Sequence, residues 1–74
     1  MNATTQTIIQ MLPRKPLLSP ADIAAAYGLS TTKSILDDIK TGRLAANMIG
    51  GKYIISRDAA REYIAANEFI PDEA

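Results

Sequence analysis

Seventy-four residues with a 47% apolar share can build one domain around one core, and leave little room for a second domain or an enclosed catalytic pocket. The lack of cysteine and histidine excludes a disulfide framework and thiolate metal sites, and removes the commonest general base and transition-metal ligand. Net charge is zero, yet residues 1–61 carry all eight bases with four acids, +4, while residues 62–74 carry four acids and no base, −4, which fits a basic module with an acidic end or a plainly solvated C-terminus.

The first six residues, MNATTQ, are polar and read as a frayed end. Thr4 or Thr5 is placed to cap a short helix running to Met11 or Leu12, with Ile8, Ile9 and Leu12 at helical spacing. Pro13 and Pro16 end that helix, because neither donates a backbone hydrogen bond and each pushes its predecessor out of helical geometry. Arg14 and Lys15 between them read as a basic arm for a phosphate backbone or, more commonly, as a solvated linker. Residues 1–17 are thus an N-terminal segment with a short helix and a basic linker.

Ser19-Pro20 starts the next helix: serine caps, and proline suits the first helical position because its missing donor is unused there. Asp22 complements the dipole in the first turn, and Ile23, Ala24 and Tyr27 form an apolar face. Gly28 ends the helix, and Leu29 is expected to plug the corner that follows. Ser30 or Thr31 is expected to cap a further helix with Ile35, Leu36 and Ile39 buried and Thr31, Thr32, Lys33 and Ser34 in its first turn. Lys40 favours its C-terminus and Gly42 stops it. Two helices about a short glycine-bearing turn make a helix-turn-helix or an ordinary helical hairpin.

The stretch from Arg43 to Ser56 adds more. Leu44–Ile49 and Lys52–Ile55 are expected to be strands, with Gly50-Gly51 supplying the positive φ angles of a tight hairpin. Ser56 caps a last helix from Arg57 to about Asn67, with Tyr63 and Ile64 as its main apolar residues. The expected fold is mainly α with a small β-hairpin: three to four helices and a two-stranded wing over residues 18–67. Residues 68–74 are an acidic tail, with Phe69 and Ile70 placed to fold back before Pro71. The buried set is expected to include Leu29, Ile35, Ile39, Leu44, Ile49, Ile54, Tyr63 and Ile64.

The segments LSPADIAAAYGLS and GRLAANMIGGKYIISRDAAREYIAAN resemble the excisionase and MerR-like winged helix-turn-helix family. The likeness spans Leu18–Asn67, and its second half is the more specific. In that family a recognition helix and a wing contact adjacent grooves of DNA. By position, the resemblance implies DNA contacts from Thr31, Thr32, Lys33 and Ser34, from Arg43, from Gly51 and Lys52 on the wing, and from Arg57 to a phosphate. Two departures stand out. The segment between Ser30 and Gly42 is one residue longer than usual, and Asp37 and Asp38 sit where relatives often carry basic, aromatic or apolar residues. Carboxylates near phosphates oppose binding, so these acids face away from DNA or the module has another partner.

The resemblance implies a sequence-specific DNA-binding accessory protein of the excisionase (recombination directionality factor) type. Its alternatives are a small transcriptional regulator of the same fold, or a winged-helix protein-interaction module of phage or mobile-element origin that has lost DNA binding. The expected partners are double-stranded DNA and either a recombinase or copies of the chain along the DNA. No catalysis, cofactor, metal or small-molecule substrate is expected; Asp37 and Asp38, adjacent on a helix, diverge by about 100° and do not share a site. No apolar run approaches the roughly 20 residues of a membrane span, and no signal-peptide pattern opens the chain, so the expected setting is the cytoplasm.

Overall fold

The structure is a computed structural model that describes residues 1–69. Among them the chain forms helix α1 (Ala3–Gln10), strand β1 (Leu17–Leu18), helices α2 (Pro20–Ala26) and α3 (Lys33–Lys40), strands β2 (Asn47–Ile49) and β3 (Lys52–Ser56), and helix α4 (Arg57–Ala66). Four helices therefore pack with a three-stranded antiparallel sheet in the order β1-β3-β2. This mixed α/β arrangement corrects the expected two-stranded hairpin on a mainly helical domain. The third strand was not foreseen because it is two residues long, too short for a period-two pattern, and its partner lies almost forty residues on. Leu17 pairs with Ser56 and Leu18 with Ile55.

α1 is capped by Asn2, not by Thr4 or Thr5: the Asn2 side chain accepts the Thr5 N–H at 2.8 Å. Residues 1–6 are not frayed. Thr5 is only 3% exposed, and its hydroxyl donates to the Glu68 carboxylate at 3.2 Å. The same carboxylate takes the Asn2 N–H at 3.0 Å. Glu68, the first residue of the expected tail, thus binds the start of α1. Ile70 and Pro71, the end of the expected fold-back, lie outside the described residues.

α2 starts with a reciprocal capping box. Ser19 Oγ accepts the Asp22 N–H at 3.2 Å, and the Asp22 carboxylate accepts the Ser19 N–H at 3.0 Å. Both α2 and α3 end in Schellman motifs. At the first, Gly28 N–H reaches Ala25 and Leu29 N–H reaches Ala24; at the second, Gly42 N–H reaches Ile39 and Arg43 N–H reaches Asp38. The first motif turns Leu29 outward, 44% exposed, so it does not plug the corner. Burial between these helices comes from Ile23, Ala24, Ala26 and Ile35. The cap of α3 is Thr32 rather than Ser30 or Thr31, and its side chain makes no capping bond.

In β2 the ladder begins at Asn47, three residues later than Leu44. Leu44 N–H is held by the Asp38 carbonyl at 3.2 Å, which places its side chain in the core and leaves Ala45 and Ala46 before the ladder. Gly50 and Gly51 both have positive φ, 58° and 76°, as a two-residue type I′ turn demands. The register sets Asn47 opposite Ile54, Met48 opposite Tyr53 and Ile49 opposite Lys52. Alternation then puts Leu18, Ile55 and Tyr53 on the core face, and Leu17, Ile54, Ile49 and Lys52 on the other. Ile49 is consequently 62% exposed and not part of the core, while Ile54 and Ile39 are half-buried.

α4 is capped by Ser56, which accepts the Ala59 N–H at 3.0 Å. Ala60, Tyr63 and Ile64, at i, i+3 and i+4, turn inward. They complete one core with Leu12, Leu18, Ile23, Ala24, Ala26, Ile35, Leu44 and Ile55. No helix among the described residues is long and apolar enough to cross a membrane.

Candidate nucleic-acid interface

The N-terminal end of α3 is the first piece of the site. Lys33 and Ser34 occupy its first turn and are exposed. Thr31 and Thr32 precede the helix instead of lying in it, Thr31 exposed and Thr32 half-buried at the N-cap. Without a side-chain cap, the first amides of α3 point outward at the positive end of the helix dipole. Arg43 lies past the other end, beyond Gly42, and is exposed. α3 itself, from Lys33 to Lys40, spans about 10 Å of axis.

Outward along α3 run Lys33, Ser34, Asp37, Lys40 and Thr41, all exposed. Asp37 thus sits on that face between two lysines, at i+4 from Lys33 and i−3 from Lys40. Asp38 belongs to the opposite side. The Tyr63 hydroxyl donates to its carboxylate, and Tyr63 is 7% exposed. Burial, reinforced by the adjacent Asp38 charge, pushes the Tyr63 hydroxyl pKa far up, so it stays a protonated donor. The Tyr27 ring meets Tyr63 edge-on at 6.3 Å, and burial raises the Tyr27 hydroxyl as well.

The hairpin is the second piece. Gly51 and Lys52 are exposed at and beside its turn. Lys52 lines a shallow groove of about 390 Å³ with Lys15, Leu18, Ser19 and Tyr53. The hairpin's remaining tip is apolar, with Met48 and Ile49 both exposed.

Arg57 stands apart from the hairpin. It lies five positions after Lys52, beyond the length of β3, about 17 Å of extended chain. Its N–H donates to the Pro16 carbonyl at 2.9 Å and its guanidinium to the Pro13 carbonyl. It lines a cleft of about 600 Å³ with Ile9, Gln10, Arg14, Lys15 and Pro16. Arg57 is therefore grouped with Arg14 and Lys15, which the sequence offered as a basic arm for a phosphate backbone or, more commonly, a solvated linker. The signal that could have found this pair is the bracketing itself: prolines at 13 and 16 stiffen the two residues between them. Lys15 also pairs with Asp22 at 3.2 Å; the Ser19 N–H, then Lys15, hold the Asp22 carboxyl below its usual value despite some desolvation.

The eight residues taken from the sequence thus fall into separate places: Thr31, Thr32, Lys33 and Ser34 around the start of α3, Arg43 past its end, Gly51 and Lys52 at the hairpin turn, and Arg57 beside the linker. Comparison with protein-family models, with curated proteins and with solved structures finds no match to this chain.

Proposed function

We propose that the chain is a winged helix-turn-helix DNA-binding protein that acts as a sequence-specific accessory factor of the excisionase type. α3 would be the recognition helix and the β2–β3 hairpin the wing. The observation that carries this reading is the succession of α2, a tight glycine turn, α3 and a glycine-tipped hairpin on one core, with Lys33 and Ser34 exposed at the uncapped start of α3 and Lys52 exposed at the hairpin turn. Lys33 and Ser34 supply base or phosphate contacts, Lys52 and Arg43 neutralise phosphates, and Gly51 lets the backbone of the turn approach the duplex. Asp38 is turned to the Tyr63 hydroxyl, off the face that carries Lys33 and Lys40. The reading contains no catalytic step and no cofactor; its partners are duplex DNA and a recombinase or further copies of the chain.

One observation favours a second reading, a protein-interaction module of the same fold. Met48, Ile49 and Leu17 are large, apolar and exposed on the sheet, and Asp37 stands on the outer face of α3. The test is a gel shift of the parent protein on the DNA upstream of its own coding sequence, with random competitor, at two salt concentrations. A retarded band that resists random competitor and weakens with salt supports DNA recognition. Failure to bind at low salt transfers the assignment to the interaction module.

A further inference from the structure

The strap between α1 and β1 is better anchored than a solvated linker requires. Its prolines restrict the backbone at residues 13 and 16. Lys15 N–H donates to the Pro13 carbonyl at 2.9 Å. Arg57, the first residue of α4, holds both proline carbonyls, Pro16 through its backbone N–H and Pro13 through its guanidinium. The strap is thereby fixed against α4 and the end of the sheet. Arg14 and Lys15 are exposed along it, and with Arg57 they line one open cleft. Among the described residues the ion pair at this cleft is Lys15–Asp22. Asp58, next to Arg57 in sequence, lines an adjoining cleft that shares Ile9 with this one, where it and Glu62 stand with Arg61. Three cations against one carboxylate leave a local excess of positive charge.

The cleft does not stand alone. Lys15 lines both it and the groove that holds Lys52. A basic track therefore runs from Arg57 and Arg14 through Lys15 to Lys52. The five residues of β3 beneath it measure about 17 Å, the axial length of about five base pairs. An open, elongated, basic track matches a strand of phosphates better than a single small anion.

We propose that Arg14 and Lys15 clamp backbone phosphates of a DNA duplex, with Arg57 positioning the strap that carries them. The inference rests on the DNA-binding reading and extends the contact surface from α3 and the hairpin to the α1–β1 strap. The clamp fixes the duplex without reading its bases, because phosphate contacts carry no sequence information.

The experiment compares the parent, Arg14→Gln, Lys15→Gln, the double variant and Lys52→Ala in duplex affinity over a salt series, with thermal melts as the folding control. Each strap substitution is expected to lower the log–log salt slope by about 0.9 on specific and random duplex alike. Amide resonances of Arg14, Lys15 and Arg57 in the parent are expected to shift with duplex and not with the same concentration of inorganic phosphate. A folded double variant that keeps the parent slope, while Lys52→Ala lowers it, overturns the clamp and leaves the α3–hairpin reading standing. Shifts reproduced by inorganic phosphate alone reduce the cleft to a small-anion site and also overturn the clamp. A parent that binds no duplex overturns both.

Discussion

Asp37 and Asp38 are adjacent in sequence and opposite in role. One residue of helix turns a side chain by about 100°, which carries Asp37 to the outer face of α3 and Asp38 to the Tyr63 hydroxyl. Asp37→Asn is expected to tighten nonspecific duplex binding by ~0.2–1 kcal/mol, the range of an exposed charge interaction. Asp38→Ala is expected to leave duplex affinity unchanged and to lower stability by ~1–3 kcal/mol, since it strands a buried donor. Denaturant melts and filter binding on the two variants separate the roles; equal effects on both quantities would refute the assignment. Asp22 gives a pH test. Its carboxyl pKa is lowered in the fold, first by the Ser19 N–H. The stability it contributes is present above the unfolded-state value of 3.8 and is lost as pH falls through the lower folded value. Asp22→Asn keeps the capping geometry without the titration. The parent's margin over this variant is expected to be full at neutral pH and to vanish in strong acid; a margin independent of pH would rule out the Asp22 charge as its source.

At the level of elements, the glycines and two of the four helix caps were legible, and long-range contacts were not. Gly28, Gly42 and the Gly50-Gly51 pair stand at the two helix ends and the hairpin turn they predicted, and Ser19 and Ser56 cap as expected. Each of these signals acts within a few residues. β1 and the Glu68 bond to α1 are partnerships 37 and more residues apart, and nothing local announces them. Ile49 shows a third limit: its side of the sheet depends on register, which follows from the turn and not from its hydrophobicity. Glu68 satisfies the Thr5 hydroxyl and the Asn2 N–H, so Glu68→Ala is expected to destabilise the chain by ~1–3 kcal/mol. Deleting Pro71–Ala74 keeps Glu68 and is expected to preserve cooperative unfolding. A melt in which the deletion costs more than Glu68→Ala would move the structural boundary further along the chain.

For the whole molecule, zero net charge conceals a basic body, and the structure gathers seven of the eight bases in two places, with Arg61 apart on α4. Lys33, Lys40 and Arg43 follow α3, while Lys52, Lys15, Arg14 and Arg57 follow the hairpin and the strap. The family resemblance implied the α3 and hairpin residues individually; only the fold groups Arg57 with the strap. The central claim is that α3 and the hairpin meet one duplex. Its most direct measurement is the affinity of the parent, Lys33→Ala and Lys52→Ala for a specific and a random duplex across a salt series. Lys52→Ala is expected to lower the salt slope by about 0.9 and weaken both duplexes alike, whereas Lys33→Ala is expected to cost ~1–3 kcal/mol on the specific duplex and narrow its advantage over the random one. Variants that bind both duplexes as the parent does would contradict the claim.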